Sequence, residues 1–152
     1  MKKTIYLLTI LLTSLILASC NKNSSNNSEP TEPTLDPANS CVLKVEAYWP
    51  ANGDISRIIN RKCIIEITYS NGKLFKTITG FTKTQTAEYS IPKGSTVKVT
   101  LSWTDEECFP NKPCSYQPFN EERTYMIGNL DKRALYILFR SGTNVNISMA
   151  DN

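Results

Sequence analysis

From residue 41 onward, apolar and polar side chains alternate with a period of two, and no long stretch sustains the 3.6-residue period of an amphipathic helix. Leu43, Val45, Ala47 and Trp49 share one face of a first strand whose other face carries Lys44 and Glu46. Cys63, Ile65, Ile67 and Tyr69 repeat the pattern, and Ser70-Asn71-Gly72-Lys73 follows, where Asn-Gly supplies the positive φ angles of a tight hairpin turn into a return strand over 73–79. Ala87, Tyr89 and Ile91 lead to the turn Pro92-Lys93-Gly94-Ser95, after which Val97, Val99, Leu101 and Trp103 alternate with Lys98, Thr100 and Ser102. These two strands are expected to form a second hairpin. Strands over 123–127 and 134–140 flank the turn Gly128-Asn129-Leu130-Asp131, and Val145, Ile147 and Met149 mark a last one. Residues 56–61 have room for one helical turn at most. Seven or eight short strands in a single domain over 41–152 predict an all-β antiparallel β-sandwich, immunoglobulin-like or transthyretin-like, with a small closed barrel as the other architecture.

The first residues follow a different logic. Lys2 and Lys3 precede an apolar run over 5–17, which is shorter than the roughly 20 apolar residues a bilayer-spanning helix needs and has the layout of a secretory signal. It ends in Leu17-Ala18-Ser19-Cys20, an aliphatic residue, two small ones and a cysteine. These four residues resemble the lipobox of bacterial lipoproteins. That resemblance implies cleavage before Cys20, diacylglycerol on its thiol, further acylation such as palmitate, and a chain anchored to the cell membrane or the outer membrane with its domain periplasmic or surface-exposed. Two or three acyl chains hold a protein stably at a bilayer.

Residues 20–40 then turn to Asn, Ser, Pro, Thr and acids, with Leu35 the one large apolar side chain, too little apolar surface to offset chain entropy. This is the composition of a tether reaching roughly 25 Å as a flexible coil. Charge adds a further exclusion. The chain has 17 basic and 14 acidic residues, and removing Lys2 and Lys3 with the signal leaves 15 against 14. A nearly neutral domain implies no nucleic-acid partner.

Besides Cys20 there are four cysteines, Cys41, Cys63, Cys108 and Cys114, and an even number in an exported domain predicts two disulfides. The pairing expected is Cys41 with Cys63, which share the inward phase of strands read as adjacent, and Cys108 with Cys114 around a short loop. A four-cysteine zinc site is disfavoured by the absence of CxxC spacing and of histidine, and a catalytic thiol by the lack of a base. The chain has no histidine at all, no phosphate-binding glycine loop and no metalloprotease motif, so ordinary hydrolase chemistry is disfavoured and no catalytic residue, metal or cofactor is expected. A carboxylate pair drawn from Asp105, Glu106, Glu107, Glu121 and Glu122 is the one glycosidase-like alternative, and the same acids, if brought together, are the one calcium-binding alternative.

Residues 104–120 break the alternation and read as a long irregular connection, stiffened by a disulfide and three prolines, and carrying Phe109, Tyr116 and Phe119 outside any apolar pattern. Aromatic rings beside amides and carboxylates suit stacking on a sugar or anchoring a protein, while rings folded back over the open end of the sandwich would be structural. Trp49 and Trp103 fall in the inward phase and read as core. The function expected is that of a non-enzymatic, lipid-anchored binding module for an envelope protein or glycan. The runner-up is an assembly component that pairs through a sheet edge.

Replacing Cys20 by Ser is expected to leave the chain unacylated and to move it out of the membrane fraction. The intact mass of the wild-type chain should exceed that of residues 20–152 by its acyl groups, and a mass equal to the bare polypeptide contradicts the anchor.

Overall fold

The computed structural model describes residues 35–49, 58–139 and 145–151; the signal, the lipobox and most of the tether lie outside them. The compact unit is two four-stranded sheets. One has the order β4-β1-β7-β8 and the other β3-β2-β5-β6, with β1 Ser40–Tyr48, β2 Ile58–Thr68, β3 Leu74–Thr79, β4 Gln85–Pro92, β5 Thr96–Glu107, β6 Ser115–Met126, β7 Lys132–Phe139 and β8 Val145–Asp151. All neighbours are antiparallel except β1 and β7, which run parallel with Val45 beside Leu135. The immunoglobulin arrangement keeps the first two strands in one sheet. Here they are in different sheets, which leaves the transthyretin-like arrangement of the two sandwiches expected.

The alternation builds the core directly. Cys41, Leu43, Val45 and Ala47 of β1 face Cys63, Ile65 and Ile67 of β2 and Val97, Val99, Leu101 and Trp103 of β5 across the interior, joined by Ile91, Leu135, Ile137 and Phe139. Each aliphatic side chain fully buried in this way contributes roughly 1.5–3 kcal/mol, which is why both halves of the pattern must meet. The β2–β3 hairpin turns at Asn71-Gly72 as expected, but of the two only Gly72 takes a positive φ, 81°, its N–H donating to the Tyr69 carbonyl.

Four expectations are corrected. The strands either side of Pro92-Lys93-Gly94-Ser95 are not a hairpin: β4 pairs with β1 and β5 with β2, so the turn carries the chain from one sheet to the other. Its backbone is committed to neighbouring segments, Lys93 N–H donating to Asn39, Gly94 N–H to Gly128, and Ser95 accepting from Ile127. Residues 58–61 are strand, not helix, and begin β2. The tether also ends earlier than its composition suggests. Asp36 caps a 3-10 turn over Pro37–Asn39 by accepting from Ala38 N–H at 3.0 Å, so the chain is already ordered as it enters β1.

The fourth correction concerns the cysteines. Cys108 and Cys114 are bonded, but Cys41 and Cys63 are free and buried. They share an inward phase yet belong to opposite sheets and different heights. Cys41 lies opposite Ile91, at the end of the sandwich where β5 starts, whereas Cys63 lies opposite Leu101, four residues and about 13 Å along β5 from Val97.

Burial pushes the Cys63 thiol up to about 12. The folded state therefore holds this proton more tightly than the unfolded state, so the associated stability is complete below about pH 9 and is lost as pH rises from there towards 12, at about 1.4 kcal/mol per pH unit for one proton. Denaturant unfolding of the wild type and Cys63→Ala across that range should show the steeper fall in the wild type. Equal slopes contradict it. In parallel, Cys41 and Cys63 should resist alkylation in the native protein and react once it is unfolded, without a reductant.

Candidate functional site

The stretch expected to be an irregular loop is largely strand. β5 and β6 are each 12 residues long and stay in register from Thr96 opposite Met126 to Glu107 opposite Ser115. Among the described residues β2 accompanies β5 as far as Ile58 opposite Asp105, and the β5–β6 pairs past it, Glu106 with Tyr116 and Glu107 with Ser115, lead to the end of an arm. The bond between Cys108 and Cys114, whose Cα atoms are 4.2 Å apart, closes the arm's tip. Within the tip Asn111 takes the left-handed conformation, φ 63°, which asparagine tolerates better than most residues, and Lys112 N–H donates to the Phe109 carbonyl.

The three aromatic candidates separate into two roles. Phe109 in the tip and Tyr116 on β6 are 54 % and 59 % exposed. The Tyr116 hydroxyl is hydrogen-bonded to the Glu106 carboxylate, and that bond, with the carboxylate's charge, holds the phenol above its usual range. Phe119 turns inward instead, lying opposite Trp103 and stacking on it with centroids 5.6 Å apart and planes 10° from parallel. It therefore caps the sandwich, as the structural alternative for these rings anticipated. Trp103, 5 % exposed, also meets Phe139 edge-on at 5.8 Å, and Phe139 stacks on Trp49. Both tryptophans are core residues, as their phase predicted.

Beside the arm's root β2 bulges. Ile59 faces Thr104 and Lys62 faces Ser102, so Asn60 and Arg61 together oppose Trp103, and Asn60 has φ 54°. The Arg61 guanidinium lies 4.6 Å from the Trp49 ring centroid, its Nε donating to the Ile58 carbonyl. Between the bulge and the arm lies an open cleft of about 440 Å³ lined by Arg61, Lys62, Ser102, Thr104, Pro118 and Phe119 among others. Its size falls in the range of small-ligand pockets. No sequence signal marked it, because the bulge that opens it appears only in the β2–β5 register.

The carboxylates do not assemble. Asp105, Glu106 and Glu107 oppose Gln117, Tyr116 and Ser115, whereas Glu121 and Glu122 lie opposite Leu101 and Thr100, about 13 Å further down β5. Glu121 pairs with Arg123 at 2.5 Å and Glu122 with Lys98 at 3.0 Å. This separation keeps the two groups of acids from forming one site, which the calcium alternative required. The one metal-type cluster among the described residues joins Glu106 to Cys108 and Cys114, whose sulfurs are bonded to each other and are not available as thiolates. Nor is any helix among the described residues long and apolar enough to cross a membrane. No family model, curated protein or solved structure matches the chain.

Trp103→Ala should cost about 3–5 kcal/mol in denaturant unfolding, since it empties the junction of both sheets with the arm. Phe109→Ala should stay within about 0.5 kcal/mol of wild type. A mild Trp103→Ala would mean that the arm's root is not anchored by this ring.

Proposed function

We propose that the protein is a lipid-anchored envelope lipoprotein, attached through Cys20, whose sandwich domain binds an envelope protein or glycan without catalysis. The recognition surface is the tip and outer face of the β5–β6 arm. The observation that supports this reading is the exposure of Phe109 and Tyr116 on a tip closed by the Cys108–Cys114 bond, while Phe119 holds the arm's root against Trp103. Large rings carry contact area at little cost in side-chain entropy, and a closed tip on a paired arm loses little freedom on binding. Glu106, hydrogen-bonded to Tyr116, and the hydroxyls of Ser102 and Thr104 add polar groups suited to a sugar or a peptide. The tether lets such a domain stand off from the membrane that carries it.

The test is a glycan panel and an envelope-extract capture with wild type, with Phe109→Ala/Tyr116→Ala, and with the bridge reduced. Binding by the wild type is expected to fall at least 30-fold in the double variant, an interface anchor being worth about 2 kcal/mol or more. Circular dichroism should show the fold unchanged. Undiminished binding by the double variant would move the site off the arm.

A further inference from the structure

Of the four strands that lie at sheet edges among the described residues, β6 is the longest, 12 residues against six in β3, eight in β4 and seven in β8. Its backbone phase follows from its ends. Ile127 N–H points to the Ser95 carbonyl of the neighbouring chain segment, so the odd-numbered residues of β6 bond to β5 and the even-numbered ones, 118 to 126, turn their backbone groups to the open side. Pro118, with no N–H to give, sits where the missing donor faces outward. β8, the edge strand of the other sheet, is covered at mid-length, because the Tyr125 hydroxyl donates to the Ile147 carbonyl at 2.7 Å.

We infer that the open side of β6 pairs with β6 of a second copy, antiparallel about a two-fold axis at Glu122. The sequence of β6 is self-complementary in that register and in no neighbouring one. Residue 121 then faces 123 of the other copy, so Glu121 meets Arg123 twice. Phe119 faces Tyr125, Asn120 faces Thr124, and Pro118 faces Met126, the most exposed large apolar side chain of the strand at 73 %. Moving the register by two residues sets Glu121 against Glu121 or Arg123 against Arg123. An odd shift opposes residues whose outward backbone groups do not match.

The hydrogen-bonding groups agree with the same axis. Glu122 bonds to Glu122, Asn120 to Thr124, and Met126 N–H to the Pro118 carbonyl of the other copy. The one donor lacking, that of Pro118, falls opposite the Met126 carbonyl, which already accepts from Arg133 at 3.2 Å. At the axis the two Glu122 carboxylates are each held by Lys98 at 3.0 Å, so the centre is charge-balanced. In the single chain Arg123 closes on its own strand, bonding Glu121 and the Glu122 carbonyl at 2.8 Å, and pairing exchanges those contacts for Glu121 of the second copy and the Glu122 backbone. Inward-facing charges ordinarily guard an edge against pairing. Here they disfavour the registers two residues to either side of the one centred on Glu122, and the contact is of the closed, isologous kind. The inference is independent of what the arm binds.

The experiment uses the full chain in mild detergent. Glu122→Cys should form a disulfide-linked dimer on mild oxidation, because directly opposed hydrogen-bonded residues have Cα atoms about 5.5 Å apart. Thr124→Cys alone should not. Glu121→Arg and Arg123→Glu should each weaken self-association about tenfold, as measured by sedimentation, and mixing the two should restore it as a heterodimer in which every 121–123 contact is again opposite in sign. A wild-type chain that stays monomeric up to about 100 µM overturns the inference. So does a dimer that ignores both charge changes, fails to recover on mixing, or crosslinks at 124 and not at 122.

Discussion

The packing of Trp103 is the contact on which the architecture of this domain turns. Its ring lies between the two sheets, edge-on to Phe139 of one and stacked on Phe119 of its own, and Phe139 in turn stacks on Trp49 at the end of β1. An aromatic cluster of this kind contributes beyond its buried area, roughly 0.5–1.5 kcal/mol per pair. It does so beside the bulge at Asn60 and Arg61, two residues along β5 from Asp105, whose pair with Ile58 is the last between β2 and β5 among the described residues. The ring ties the root of the β5–β6 arm to the sandwich interior, and isolated two-stranded ribbons are marginal in water. The cleft beside the bulge and the direction of the arm both follow from that junction.

The same geometry divides β6 into two lengths, one for each proposal. Near the tip its residues belong to the arm, with Tyr116 exposed and hydrogen-bonded to Glu106. Towards Met126 it becomes the sandwich edge, where Glu121 and Arg123 replace the apolar residues that the inward phase would otherwise call for, between Phe119 and Tyr125. A strand that carries recognition groups at one end and a self-matched charge pattern at the other would present two arms from one assembly. Two sites on one assembly strengthen weak recognition through effective concentration.

Much of the fold was legible in the chain because alternation reports burial on one face. The inward sets of β1, β5 and β8 and the turn at Asn71-Gly72 were all readable. Alternation does not say which sheet a strand joins, so Pro92-Lys93-Gly94-Ser95 fits a hairpin and a crossing between sheets equally, and the phase of Cys41 and Cys63 could not reveal that they lie on opposite sheets. Residues 104–120 looked irregular for a physical reason: a two-stranded arm has little core to bury, so its strands carry no apolar period. The bridge from Cys108 to Cys114 needed only short spacing and was readable; the inward turn of Phe119 needed the β5–β6 register and was not.

Residue-resolved hydrogen exchange of β6 in the wild-type protein is the most direct measurement of an arm held by the sandwich. The account predicts that the amides of Gln117 and Phe119, which point to β5, are protected to nearly the same degree as those of Arg123 and Tyr125 in the body of the sheet. Fast exchange at 117 and 119 with protection confined to 121–125 would mean that the ribbon frays at its root, and would contradict the anchoring by Trp103 from which the rest is derived.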